Sequence, residues 1–432
     1  VASRCLYLFL VFDLILVSCN KPEPKSINNL ANNLAIYEIM PRQYSEKRNI
    51  DGIREDLPRL QSMFFNAICL QPVLEHDEAN NAFNPNSPFA LKSFIRLDPI
   101  LGSVESLHGL IDESHKKNIK VLIEWDLSQT GPHHDWRSEH PEYYLSDQKM
   151  TDNRYNQEYI SLNLTNSKVQ NELLISLKAF ITSHPFDGIV FYHLEKCPTG
   201  FLSKMIPELK SIRPLIVVNS GKVFIKECDF NSNEGLFKFF LDAYSGQASV
   251  NKFRNLLDSM NRFPMLNYVV DYSKNDRYGS DVNLFYNSYK DYHSLTYFLP
   301  GISWVLNGQE DPQFETLNLF SRLPFSRKYK YNNDFYRSLN MLKQNNQALW
   351  NFNKENLPEL ISDSDNVLAL ERTTGDYTCV GLFNLSDQMV TFKINKDYHM
   401  FYDAFNKVPL NFIKNTDLKL GPFQSLVFTN IP

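Results

Sequence analysis

Phe186-Asp187-Gly188-Ile189-Val190-Phe191-Tyr192-His193 is a short apolar run of β-type composition, entered through an Asp-Gly pair. Similar runs recur along the chain: Leu34–Met40, Phe65–Val73, Lys120–Asp126, Gly188–Leu194, Pro214–Ser220, Gly235–Ala243, Met265–Asp271 and Ile302–Asn307. Amphipathic helical patterns separate most of them. The cleanest stripes are Val104, Leu107, Leu110 and Ile111, and then Val169, Leu173, Leu174, Leu177, Phe180 and Ile181. Eight such runs, mostly followed by helices, predict an α/β fold, a (β/α)8 TIM barrel with helices packed outside.

Between the third and fourth runs, Gly131 to Thr165 is longer than an ordinary βα loop and rich in His, Trp, Tyr and Asp. Loops of this length on the C-terminal face of a barrel build or cover a site. After Asn345 the pattern changes to period-two runs with turn signals: Val367–Arg372, Tyr377–Asn384, Met389–Ile394 and Ser425–Thr429. They predict a C-terminal antiparallel β-sandwich domain. The expected organisation is a signal peptide over 1–19, a tether over 20–33, a barrel over 34–352 and a sandwich over 361–432.

The N-terminal segment combines Arg4, the apolar run Leu6 to Val17 and then Leu16-Val17-Ser18-Cys19. It reads as a secretory signal ending in a bacterial lipobox, with Cys19 as the lipidated residue. An uncleaved anchor and an unlipidated signal are the alternatives. The polar, Pro-containing stretch that follows suits a tether. The expected location is the bacterial cell envelope, membrane-anchored through Cys19.

A net charge of −5 without a long basic run argues against nucleic acid as a partner. Cys69, Cys197, Cys228 and Cys379 are widely spaced and form no metal-site pattern. Cys69 and Cys379 read as small core residues; a Cys197–Cys228 disulfide is compatible with an oxidising envelope. His133-His134-Asp135-Trp136 brings two histidines together, but adjacent side chains diverge and no third ligand is evident. No metal and no cofactor are expected.

Several stretches resemble the α-amylase family of glycoside hydrolases. Ala35-Ile36-Tyr37-Glu38-Ile39-Met40-Pro41-Arg42-Gln43-Tyr44 is similar to its first strand, and Leu57-Pro58-Arg59-Leu60 to the helix that follows. Asn86-Ser87-Pro88-Phe89-Ala90-Leu91 with Leu97-Asp98-Pro99-Ile100-Leu101-Gly102 is similar to its second βα loop. The most specific likeness is Leu299-Pro300-Gly301-Ile302-Ser303-Trp304-Val305-Leu306-Asn307-Gly308-Gln309-Glu310 at the eighth strand. The tail with Leu382-Phe383-Asn384-Leu385-Ser386-Asp387 resembles the family's C-terminal sandwich.

The family's chemistry uses three carboxylates around one glycosidic bond: a nucleophile, an acid and a third that grips the distorted sugar. The resemblance places Tyr192 at the nucleophile, Val190 at the preceding arginine, Asn219 at the general acid and Ser273 at the third carboxylate. Glu124 stands for the third-strand Asp, and Ser128-Gln129 for the Asn-His beyond it. Each motif keeps its hydrophobic frame and loses its acid, base or clamp. The expectation is a catalytically impaired barrel, a pseudoenzyme that binds an α-glucan or related oligosaccharide or serves in a glycan-capture assembly. The rivals are a hydrolase or transglycosidase with relocated groups, and a structural partner of a membrane protein. Phe89, Trp136, Tyr192, Asn219 and Tyr272 are the candidate sugar contacts, weighed against plain packing. His193 is expected to face away from the cleft, leaving Tyr192 without a partner.

Overall fold

The computed structural model describes residues 31–77, 87–152, 157–260, 265–269, 271, 279–311, 321–324, 332–350 and 357–431. The signal, Cys19 and most of the tether lie outside them, as do Tyr272 and Ser273.

Eight parallel strands close on one another: Ala35–Ile39, Ala67–Leu70, Lys120–Asp126, Gly188–Tyr192, Ile216–Asn219, Phe230–Ser232, Met265–Asn267 and Ile302–Leu306, each beside its neighbour in chain order and the last beside the first. Residues alternate between two cores. Tyr37, Ile68, Ile123, Ile189, Val217 and Val305 meet the helices, while Ile36, Cys69, Leu122, Val190, Val218 and Trp304 fill the barrel.

The two helices foreseen from their stripes span Val104–Lys116 and Ser167–Ser183. Each begins where a polar side chain caps a free backbone N–H: Ser103 accepts from Ser106 N, and Asn166 from Lys168 N. The expected sixth strand, Gly235–Ala243, is instead a helix, Glu234–Tyr244. Asn233 caps it at Leu236 N, and Leu236, Phe237, Phe239, Phe240 and Ala243 form a buried helical stripe. The true sixth strand, Phe230–Ser232, is only three residues long, too short to stand out beside an aromatic-rich helix.

Motif residues explain how the barrel closes. A β-carbon on Gly301, at φ +127°, would stand 2.1 Å from Met265 O, so only glycine lets the eighth strand approach the seventh. Glu310 accepts hydrogen bonds from the Tyr37 hydroxyl, from Arg59 Nη1 at 3.2 Å and from Gly308 N at 2.9 Å. That carboxylate ties the first strand, the first helix and the turn after the eighth strand together. At the opposite end, Asp187 Oδ2 accepts from Val121 N and faces His115 Nε2, each at 2.8 Å. A β-carbon on Gly188 would lie 2.5 Å from Ile216 O. The Asp-Gly pair is thus a joint between strands three, four and five.

The long segment after the third strand carries a short helix, Asp135–Glu139, and a small antiparallel sheet of Gln129–Thr130, Tyr144–Asp152 and Gln157–Leu162. C-terminal to the barrel, a six-stranded antiparallel sheet and a two-stranded one enclose Val367, Ala369, Val380, Leu382, Phe392, Tyr398 and Phe428. Strands Glu359–Leu360, Tyr398–Asp403, Pro409–Phe412 and Leu418–Leu420 were not foreseen; three have two to four residues and the fourth is bulged between Tyr398 and Phe401, which hides the alternation. Arg372 fastens this domain to the barrel, donating to Phe298 O at 2.8 Å and Trp350 O at 2.9 Å. Cys69, Cys197, Cys228 and Cys379 are all free thiols, so no bridge joins Cys197 to Cys228.

Candidate active site

Strand register fixes which side chains reach the C-terminal mouth of the barrel. Asp126 pairs with Tyr192, and Phe191 with Asn219, so these residues stand level at the ends of strands three, four and five. Tyr192 has the parity of Val190 and belongs to the interior. Phe89, from the second βα loop, meets it edge to face at 5.5 Å between ring centroids. Both rings are partly exposed. Two of the five expected sugar contacts are therefore neighbours at the mouth.

Asn219 and Trp136 are engaged elsewhere. Asn219 shares the parity of Leu215 and Val217, which pack outward, and is fully buried. Its amide donates to Val223 O at 2.7 Å and Asn231 Oδ1 at 2.9 Å, and its oxygen accepts from Gly221 N. This set leaves no donor for a ligand. Trp136 anchors the inserted segment, its ring 5.1 Å from both Phe94 and His134 and 5.8 Å from Tyr143. Gln129 is buried in the small sheet, opposite Ser161.

Beneath Tyr192 lies an acidic floor that residue types alone did not reveal. Glu38 and Glu124, from strands one and three, are both fully buried inside the barrel with Cys69 and Trp304. Trp304 Nε1 donates to Glu38 Oε2 at 2.7 Å, Gln71 Nε2 stands 3.4 Å from its other oxygen, and Cys69 Sγ lies 4.0 Å from Glu124 Oε1. Burial pushes Glu38 up to about 7, Asp271 adds to the rise, and the Trp304 and Gln71 donors hold it back. Burial also raises Glu124 well above the ordinary carboxyl range, with the Glu38 charge and hydrogen bond adding to it and the Tyr192 hydroxyl offsetting part. The pair holds at least one proton at neutral pH. The alternation of Glu38 with Ile36 in a run otherwise apolar was the available sequence signal.

The floor bears directly on Tyr192. A carboxyl partner is present after all: Glu124, whose pKa is raised by burial and by Glu38. Burial comes first in raising the phenol's pKa well above its ordinary value, followed by Glu124, Glu38 and Asp271. A phenolate is thus disfavoured by every charged neighbour named.

His193 departs from expectation too. The strand ends at Tyr192, and His193 takes a left-handed turn that carries Nδ1 to 3.0 Å from Asp126 Oδ2, back toward the mouth. A second polar group stands at the ends of strands six and seven: the Tyr268 hydroxyl donates to Glu234 Oε1 at 2.9 Å and lies 2.9 Å from Ser232 Oγ. In the inserted segment, His133 N donates to Asp77 Oδ2, while His134 caps Trp136 N and is pushed down to about 4 by burial. Each histidine has its own architectural task. Among the described residues no three His, Cys, Asp or Glu are arranged to hold a metal ion.

The fold and the motifs define the class: a closed parallel eight-stranded barrel with an antiparallel C-terminal domain, the architecture of α-amylases. Residues 39–178 match the family model of the alpha amylase catalytic domain. Over 92% of its length the chain superposes on a maltogenic α-amylase of Thermotoga neapolitana and on an α-amylase of Lactobacillus plantarum, covering 98% of each, with TM-scores of 0.78 and identities of 17% and 16%. Among curated proteins it is 23% identical to an alpha-glucosidase of Apis mellifera over 121 residues and 22% identical to an oligo-1,6-glucosidase of Heyndrickxia coagulans over 129 residues. Those matches take in 27% and 29% of this chain, and only 20% and 21% of the relatives' length.

Proposed function

We propose that this protein binds an α-glucan or a related neutral oligosaccharide at the barrel mouth and does not cleave it by the carboxylate chemistry of the α-amylase family. The observation that carries this reading is Tyr192, set level with Asp126 at the end of the fourth strand, edge-stacked with Phe89 and underlain by buried carboxyls, its phenol pKa raised by burial and by those carboxyls. Rings of this kind offer a sugar an apolar face without needing an acid. Loss of the nucleophile alone costs a hydrolase on the order of 10⁶ in kcat. With Asn219 committed to its own loop, no acid stands at the fifth-strand position either. Names of similar proteins support the ligand class: the relatives are glucosidases, and a structurally similar α-amylase of Geobacillus thermoleovorans was crystallised with acarbose. In this reading the segment through Cys19 anchors the barrel to the bacterial envelope, where it captures glycan alone or within an assembly.

One observation favours relocated catalysis. A β-carbon on Gly221 would stand 2.5 Å from Glu195 Oε2 and 3.0 Å from Asn219 Oδ1, so an exposed carboxylate flanks the residue at the acid position. Calorimetric titration with maltoheptaose, followed by overnight product analysis of the same samples, decides between the two. Saturable heat without products, lost in Phe89→Ala or Tyr192→Ala, is the expected result. Products that vanish in Glu195→Gln would overturn it.

A further inference from the structure

We propose that His193 is the group through which the barrel mouth reads a sugar hydroxyl, with Asp126 as its positioning residue; this rests on the glucan-binding reading above. Immediately after Tyr192 the backbone turns into the left-handed region, φ 57° and ψ 30° at His193. A residue with a β-carbon is strained there, and such strain persists where the surroundings hold it, often beside ligands. The holding group is visible. Asp126 is 2% exposed; its Oδ1 accepts from Ser128 N and from the Ser128 hydroxyl, each at 2.8 Å, and its Oδ2 lies 3.0 Å from His193 Nδ1.

A carboxylate clamped on one side acts as a fixed acceptor on the other. His193 therefore keeps a proton on Nδ1, donating to Asp126, which leaves Nε2 as the ring's acceptor. Of the imidazole side chain, 41% is exposed, against 2% for its carboxylate partner. The Tyr192 ring follows at 6.5 Å and the Phe89 ring lies 5.5 Å beyond it. One directed polar atom beside two rings suits a pyranose, which has apolar faces and a hydroxyl rim. The buried Asp126 carboxylate at the mouth disfavours a sugar phosphate, so the class of ligand is a neutral glycoside.

The arrangement predicts a pH signature. The hydrogen bond to Asp126 raises the pKa of His193, burial lowers it, the Asp126 charge raises it, Lys196 lowers it and Glu195 raises it; the net displacement is upward. Nε2 is a bare acceptor at high pH and a charged donor once the second proton binds. Charge-assisted hydrogen bonds are about twice as strong as neutral ones, so affinity rises as pH falls through the His193 transition. Glu38, in the floor, also titrates near 7 and must be controlled for.

The test is calorimetric titration of maltoheptaose into the full chain at pH 5.5, 7 and 8.5, for the parent, His193→Gln, Asp126→Asn and Glu38→Gln. The parent should weaken roughly fivefold from the lowest to the highest pH. His193→Gln should remove that step, Asp126→Asn should move it to lower pH, and Glu38→Gln should keep it. His193→Asn, which tolerates the left-handed turn, should also be flat, and serves if the glutamine variant is misfolded by circular dichroism. A pH step that survives both His193 substitutions, or disappears only in Glu38→Gln, overturns the role of His193 while leaving glucan binding intact. No saturable heat from the parent at any pH overturns both.

Discussion

Replacing Glu38 with glutamine removes one of two carboxyls from the barrel interior while keeping its shape. Burial raises Glu38 from an ordinary 4.5 to about 7. Below pH 4.5 the group is protonated in both folded and unfolded chains and costs nothing on this count. Between 4.5 and 7 the unfolded chain releases the proton and the folded chain holds it, so stability falls as pH rises. Above 7 both are ionised and the loss is complete. At about 1.4 kcal/mol per pH unit, the penalty is about 3 kcal/mol at pH 8. Glu38→Gln never carries the charge and also relieves Glu124, whose pKa Glu38 raises. It should therefore be more stable than the parent by about 3 kcal/mol at pH 8, less what the Trp304 and Gln71 hydrogen bonds lose, and lack the advantage at pH 4.5. Urea unfolding followed by tryptophan fluorescence at pH 4.5, 6, 7 and 8 measures the difference. A variant destabilised equally at every pH would refute the assignment, because Glu38 would then be an ionised, well-paired group throughout.

Asp291 is buried against the C-terminal domain and pushed up to about 8 by burial, only partly offset by the Ser425 hydroxyl. By the same sign, Asp291→Asn should stabilise most above pH 8 and not at pH 4, read by thermal unfolding across pH. Glu310→Ala leaves Arg59 short of its buried acceptor and unties strand one, and should cost on the order of 3–5 kcal/mol in urea unfolding. Gly301→Ala forces a β-carbon against Met265 O in a left-handed turn and should cost on the order of 3 kcal/mol or more, seen as lost soluble yield or a lower melting temperature.

Much of the fold was legible because its signals are local. Periodicity marked the helices at Val104–Lys116 and Ser167–Ser183, and the strands at Lys120–Asp126 and Tyr377–Asn384 agree residue for residue with their apolar runs. Pro300-Gly301-Ile302 and Asp187-Gly188 could be read because strand spacing at those points admits no β-carbon, a demand written into one residue each. The sixth strand escaped because three residues carry too little pattern against a neighbouring helix buried on its aromatic stripe.

Sequence alone determined the residue types in the fourth and fifth strands: Val190, Tyr192 and Asn219. What those residues do was decided only in three dimensions. Barrel closure set Glu38 and Glu124 together in one buried interior, and removal from water is what raises the proton affinity of both. A single left-handed residue turned His193 toward Asp126, although the two lie 67 positions apart. Proton affinity depends on solvent exclusion and on distances between strands, and neither quantity is encoded in any one stretch of the chain.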